Sequence, residues 1–342
     1  MSFVDCPGHE VLMGTMLAGT SIMDSAILTV SANETCPQPQ TKEHLAAIEL
    51  MKLNKLLILQ NKIDLVTSQG ASENYKEILQ FTKNTTAEGS PIIPISAEKK
   101  YNIDVVLESL VNTIPIPTRS FLTPPRLIVV RSFDVNRPKT VDIGEIKGGV
   151  AGGSISQGVL RLGDKIEIRP GIITSDNSGG FNVSTINTTV QSLFAESNQL
   201  SYAVPGGLIG VGTNVDPSIC RANRLVGQVL GKEGTLPDVF IEIEMSFHLL
   251  SNLLGIKEQN KNVKVRKIKK SEVLMLTIGS TSVGGVVNAV RKDLAILKLS
   301  KPVCCSVNDK LAISRKINLN FRLIGWGNIL CGKKIVSGEN QY

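Results

Sequence analysis

The chain has 342 residues, enough for two or three domains that each bury a core, and this excludes a small disulfide-stapled scaffold. At 42% hydrophobic and 20% charged it is too apolar for intrinsic disorder, and no stretch reaches the roughly 18 uninterrupted apolar residues of a membrane helix. Its net charge of +7 is uneven: residues 1–123 carry 9 basic against 13 acidic side chains, and the residues after Pro237 carry 17 against 8.

That asymmetry predicts a polyanionic partner for the C-terminal part. No basic region followed by an apolar block opens the chain, so a cytoplasmic protein without a membrane partner is the expectation. Cys6, Cys36, Cys220, Cys304, Cys305 and Cys331 form no C-x-x-C pair and read as reduced thiols. Adjacent Cys304 and Cys305 point to opposite sides if they sit on a strand.

Short apolar runs at residues 3–4, 26–30, 56–59 and 92–95 read as buried strands, and helical patterns lie between them near residues 10–19, 41–53, 72–82 and 104–112. This alternation predicts a parallel sheet with helices on both faces. Prolines at 115, 117, 124 and 125 end the pattern and mark a domain boundary, because proline continues neither a helix nor a central strand. Short β-rich runs follow at residues 127–132, 158–160, 165–169, 190–194 and 207–212, with residues 171–180 reading as an exposed hairpin loop. A second turn-rich break at residues 231–237 precedes further strands at 239–245, 272–278, 284–290, 295–299, 310–313 and 322–329. Three domains are therefore predicted.

Three loops carry chemistry, each immediately after a predicted strand. In Asp5-Cys6-Pro7-Gly8-His9, a carboxylate at a strand's C-terminal end can hold Mg²⁺ through water, and Gly8 lets a backbone N–H approach a terminal phosphate. His9 would then face the attacking water. Taken alone, the pattern fits a turn before a capped helix equally well. In Asn61-Lys62-Ile63-Asp64, Asp64 can accept from the N1–H and the exocyclic amine of guanine, whereas adenine has no N1–H and leaves the carboxylate unpaired. Lys62 can lay its stem along the base while Asn61 ties neighbouring loops together; by itself the tetrapeptide fits a solvated loop. In Ser96-Ala97-Glu98, small residues permit a tight loop whose backbone N–H reaches guanine O6. Order and spacing make the set specific: 56 positions separate Asp5 from Asn61, 35 separate Asn61 from Ser96, and ligands bind open parallel sheets at the strands' carboxyl ends. GTP or GDP with Mg²⁺ is the expected cofactor set.

No G-x-x-x-x-G-K-[ST] motif precedes Asp5. The run Gly327-Asn328-Ile329-Leu330-Cys331-Gly332-Lys333 comes near it, but Lys334 follows and no helix does, so it is excluded as a phosphate loop.

With Met23-Asp24 and residues 36–44, these boxes resemble the translational GTPases related to elongation factor Tu. Residues 131–136, 147–154, 205–213 and 323–327 narrow the resemblance to the gamma-subunit family of eukaryotic initiation factor two, from Ser2 to about Val336. The resemblance implies an α/β plus all-β fold class: a partial P-loop-type G domain over residues 1–123, then β-barrels over 124–235 and 236–342. It also implies a GTPase that carries methionyl initiator tRNA to the small ribosomal subunit. Its partners would be the alpha subunit on the second domain, the beta subunit on the G domain, and a guanine-nucleotide exchange factor. Asp5 and Gly8 then take the Mg²⁺ and γ-phosphate roles, His9 the water, Asn61, Lys62, Ile63 and Asp64 the guanine, and Ser96, Ala97 and Glu98 the base oxygen. For tRNA the second barrel, residues 257–270, and Lys147, Arg221 and Arg224 are candidates.

In that family the phosphate loop, the first switch and a zinc knuckle precede the strand ending at Asp5, and a central strand lies beside it. Four residues before Asp5 hold none of these. The remaining strands are expected either to close the gap or to leave unpaired N–H and C=O groups along it. Two readings follow: a GTPase switch, or a truncated, non-hydrolysing tRNA- and subunit-binding module with a vestigial G domain. A relative delivering selenocysteinyl or elongator tRNA fits residues 205–213 and 323–327 poorly.

Overall fold

In the computed structural model of the chain, residues 1–8, 13–53, 55–136, 146–175, 180–258, 261–317 and 320–335 are described. Three parallel strands, Ala26–Ser31 (β1), Leu56–Asn61 (β2) and Ile92–Pro94 (β3), form a sheet in the order β1-β2-β3. Central β2 has its first five residues buried, because a strand covered on both faces has no solvent side to impose alternation. Its register pairs Ile58 with Leu28 and with Ile92, so the carboxyl ends of all three strands reach one edge.

Four helices, Met13–Thr20 (α1), Pro39–Met51 (α2), Ser68–Thr82 (α3) and Ile103–Thr113 (α4), answer the four helical patterns, although the expected start of the first, Glu10, lies outside the described residues. Strand period sorts β2 onto two faces. Leu56 and Ile58 pack with Leu45 and Ile48 of α2 and Ile78 of α3, while Leu57 and Leu59 pack with Val106 and Leu110 of α4. At the start of α3, the Thr67 hydroxyl accepts from Gly70 N at 3.2 Å and satisfies one open donor of the first turn.

The expected strand at residues 3–4 does not form: Phe3 is 65% exposed, and two apolar residues without a paired neighbour cannot hold a ladder. Residues 1–6 instead line a cavity of about 740 Å³ together with Ala26, Ile27, Leu28 and Thr29 of β1. Among the described residues no strand closes the gap on that side of β1.

Eight antiparallel strands follow, in the spatial order Asn198–Leu200, Ser192–Ala195, Ile209–Gly212, Val150–Gln157, Arg126–Phe133, Val229–Lys232, Lys165–Ser175 and Phe181–Thr189. Leu193 near one end and Ile166 and Ile168 near the other share one core, which requires the sheet to roll up. The exposed loop expected over residues 171–180 is shorter: Gly171–Ser175 continue a strand paired with residues 181–184, and residues 176–179 lie outside the described residues. A closed six-stranded barrel completes the chain, in the order Val239–Leu249, Leu294–Cys304, Thr281–Arg291, Val273–Ile278, Lys310–Ile317 and Asn320–Ile335. Cys304 and Cys305 do part company: Cys305 enters the barrel core, whereas Cys304 packs with Val183 and Val229 of the preceding sheet. Burial pushes both thiols up to about 12.

Polar contacts lock the two β units together. Ser280 Oγ donates to Val129 O at 2.9 Å, and Thr281 Oγ1 donates to Gly227 O at 2.6 Å. Gly227 (φ +88°) permits that approach, since a Cβ there would lie 1.9 Å from Thr281 Oγ1. The outer face of the last barrel carries α1 and α2: Met16, Leu17, Ala47 and Leu50 form one cluster with Ala312 and Leu323. Within this contact Arg322 Nη1 donates to Glu43 Oε1 at 2.6 Å, with both side chains buried.

Candidate nucleotide site

The loop after β2 and the loop after β3 are built as one unit. Asn61, the last residue of β2, places Oδ1 where it accepts from Lys62 N at 2.8 Å and from Ala97 N at 3.1 Å. A short side chain that bonds its neighbour's N–H lets Lys62 hold left-handed backbone angles (φ 64°, ψ 32°), a conformation that is strained for a residue with a Cβ. Residues 63–65 then turn as one 3-10 turn, and Ile63 N donates to Ile95 O at 3.3 Å. Lys62 projects exposed from this turn, with Ile63 and Asp64 partly exposed beside it.

Ser96 is buried and its hydroxyl does two things. It accepts from Lys99 N at 3.2 Å, closing the turn at Ala97 and Glu98, and it favours the charged form of the Asp64 carboxylate. That hydroxyl is the chief reason the Asp64 carboxyl is held below the usual carboxylate range; desolvation opposes it, and the residue's own backbone N–H and Lys99 assist. Asn102 Nδ2 anchors the far side of the turn on Pro94 O at 2.8 Å. The result is an ionised acceptor at the lip of two cross-tied loops, with exposed Ala97 and Glu98 opposite.

Asp5 and Gly8 stand elsewhere: both line the cavity beside β1, and none of the described residues lining it belongs to 61–64 or 96–98. Both are exposed in irregular chain. His9 lies outside the described residues. Asp24 of the same cavity is ion-paired with Arg119. The structure thus unites Asn61, Lys62, Ile63, Asp64, Ser96, Ala97 and Glu98, and places Asp5 and Gly8 on a second lining.

Lys147, Arg221 and Arg224 are brought into one region through Asp134 and Asn136, whose side chains bond each other at 2.9 Å. Arg221 pairs with Asp134 Oδ2 at 3.3 Å, and Arg224 Nη1 donates to Ser218 O at 3.3 Å, while Lys147 is exposed with its backbone bonded to Asn136 Oδ1 at 2.8 Å. Of the 257–270 segment, Lys264, Arg266, Lys267, Lys269 and Lys270 are exposed. Residues 259 and 260 lie outside the described residues. Buried Ile268 pins the run into the barrel core, and Arg315 Nη1 donates to Arg266 O at 2.9 Å.

Sequence reasoning missed Gln60 and Asn74, which are buried directly behind Asn61. The available signal was an amide, Gln60, directly after four aliphatic residues and before Asn61.

Family models match consecutive parts of the chain. The description "Elongation factor Tu GTP binding domain" fits residues 1–116, "Elongation factor Tu domain 2" fits 148–231, and "Initiation factor eIF2 gamma, C terminal" fits 241–329. Eukaryotic translation initiation factor 2 subunit 3 of Drosophila melanogaster is 56% identical over 337 residues, 98% of this chain and 71% of its own. Eukaryotic translation initiation factor 2 subunit gamma of Schizosaccharomyces pombe is 57% identical over 336 residues, 98% of this chain and 75% of its own. Among solved structures, translation elongation factor SelB from Methanococcus maripaludis in its apo form superposes with a TM-score of 0.74 at 20% identity, over 97% of this chain and 70% of that one. The same factor in complex with the GTP analogue GPPNHP gives 0.75 at 19%, over 97% and 71%. At such identities the likeness speaks for the fold alone: a G domain followed by β-barrels.

Proposed function

Because the chain belongs to the gamma-subunit family of eukaryotic translation initiation factor 2, a family of translational GTPases, we propose that this initiation-factor subunit reads guanine with its paired loops. Asp64 accepts from N1–H and the exocyclic amine, Lys62 covers the base, and the turn at Ser96, Ala97 and Glu98 closes on its oxygen edge. What supports the reading is the Asn61 amide oxygen, bonded to both loops at once and so fixing their spacing before any base arrives. Adenine, lacking the N1–H, would not supply the pair of donors that guanine brings to this carboxylate, the kind of mismatch that a hydrogen-bonding site rejects strongly.

Asp5 and Gly8 are proposed for Mg²⁺ and the terminal phosphate. Among the described residues no three acidic, histidine or cysteine side chains gather into a metal cage. A single exposed carboxylate suits Mg²⁺, which binds chiefly through water and nucleotide oxygens and would there neutralise phosphate charge. The test is competition of GDP and ADP for the chain against a fluorescent guanine nucleotide: GDP is expected to displace it at far lower concentration, and equal displacement would overturn the assignment.

The same proposal includes carriage of methionyl initiator tRNA to the small ribosomal subunit, in company with the alpha and beta subunits. Exposed Lys264, Arg266, Lys267, Lys269 and Lys270 form the cationic edge of the last barrel, and five such charges in seven residues favour a phosphate backbone. Replacing Lys267 and Lys269 by Glu should flatten the slope of log affinity against log salt by about 1 per lost phosphate contact. Filter binding of the tRNA across a KCl series measures this, and an unchanged slope would remove the segment from the tRNA surface. The second reading, a module that binds tRNA and subunits without hydrolysis, draws on the separate lining of Asp5 and Gly8.

A further inference from the structure

We infer that Gln60 and Asn74 are positioning residues for guanine recognition, two buried amides that bolt the Asn61–Asp64 loop to α3 and to the segment after β1. The inference rests on the guanine reading of that loop.

Gln60 ends the aliphatic run of β2 and is 2% exposed, and Asn74 of α3 is 4% exposed. Primary amides in such surroundings are costly unless every group finds a partner, and here the partners are specific. Gln60 Nε2 donates to Ala71 O at 2.8 Å and to Asn74 Oδ1 at 2.9 Å, and Asn74 Nδ2 donates to Glu34 O at 2.9 Å. Three segments distant in sequence are thereby fixed: the end of β2, the beginning of α3, and the turn after β1.

Backbone bonds carry that fixation to the base-reading groups. Gln60 O accepts from Ile95 N at 2.8 Å, which sets the height of the loop bearing Ser96 and Ala97. Asn61 O accepts from Ala32 N at 2.8 Å, so the segment that Asn74 holds also holds Asn61. Gln60 therefore meets α3 through its side chain and the second base loop through its main chain. A network serving only to seat α3 would have no reason to involve the residue next to Asn61.

Asn74→Leu and Gln60→Met remove the donors while keeping volume, and each is tested in the full 342-residue chain. Two readouts are needed: the preference for GDP over ADP, and amide hydrogen exchange of residues 61–64 and 96–98 against residues 75–82 of α3. The expected result is a preference about tenfold lower, within what an ångström of misplacement costs, with faster exchange in the two loops and unchanged protection in α3. Exchange that rises equally in α3, or loops and preference that stay as they were, would overturn the positioning role. Asp64→Asn is the control for the underlying reading. If it leaves the preference intact the guanine assignment falls, and the exchange pattern still decides whether Gln60 and Asn74 set the loops.

Discussion

Asp64→Asn is expected to lower the preference for guanine over adenine nucleotides by about a hundredfold, with little change in stability. On the proposed guanine reading, the wild-type carboxylate offers two acceptors to two N–H groups of the base. The amide keeps one acceptor and turns a donor toward a donor, replacing a charge-assisted bond by a repulsive contact. Ser96 reinforces the effect, because its hydroxyl holds the Asp64 carboxyl below the usual carboxylate range and so favours the charged acceptor. The partly exposed position of Asp64 at the loop lip explains why folding should barely notice the change. Competition assays with GDP and ADP on both proteins read the ratio directly. A ratio that Asp64→Asn leaves within a factor of two or so of wild type would take Asp64 out of base reading.

Arg322→Met is expected to destabilise the contact between α2 and the last barrel by about 3–5 kcal/mol, the cost of breaking a buried ion pair by removing one of its members. The pair is 2.6 Å long with side chains 10% and 2% exposed, so solvent screens it little. It lies beside the Met16, Leu17, Ala47, Leu50, Ala312 and Leu323 cluster, whose burial excludes water from the same contact. Removing both charges, as Glu43→Leu with Arg322→Met, should recover most of the loss, since an apolar pair of similar volume avoids the desolvation cost. Urea unfolding monitored at Trp326, which packs on that cluster, measures all three variants. A single variant within about 1 kcal/mol of wild type would mean that the pair is worth no more than a surface bridge.

Much of the first third was legible before any coordinates. Leu56 to Leu59 announced a strand buried on both faces, and the sheet places α2 and α3 on one side of it and α4 on the other. Asn61 was expected to tie loops together, and its Oδ1 does bond Ala97 across 36 positions of sequence. The strand at residues 3–4 was misread because periodicity measures a segment's preference and is blind to whether a neighbouring ladder exists. The hairpin at residues 171–180 was overextended because Gly171 looks like a turn, whereas here its missing Cβ admits Ser184 O at close range inside a bulged strand. Gln60 and Asn74 escaped notice since an amide's value depends on what surrounds it.

The amino-acid sequence by itself determined most of the order of strands and helices, the polar side chains of the loops after β2 and β3 and the cationic end of the chain, because periods of 2 and 3.6 residues and side-chain charge are local properties. Only the tertiary structure decided that Arg322 meets Glu43 across 279 positions, that the Ser96 hydroxyl lowers the Asp64 carboxyl's pKa, and that Asp5 and Gly8 line a separate cavity. Those outcomes depend on how whole elements pack, and no residue carries that information alone.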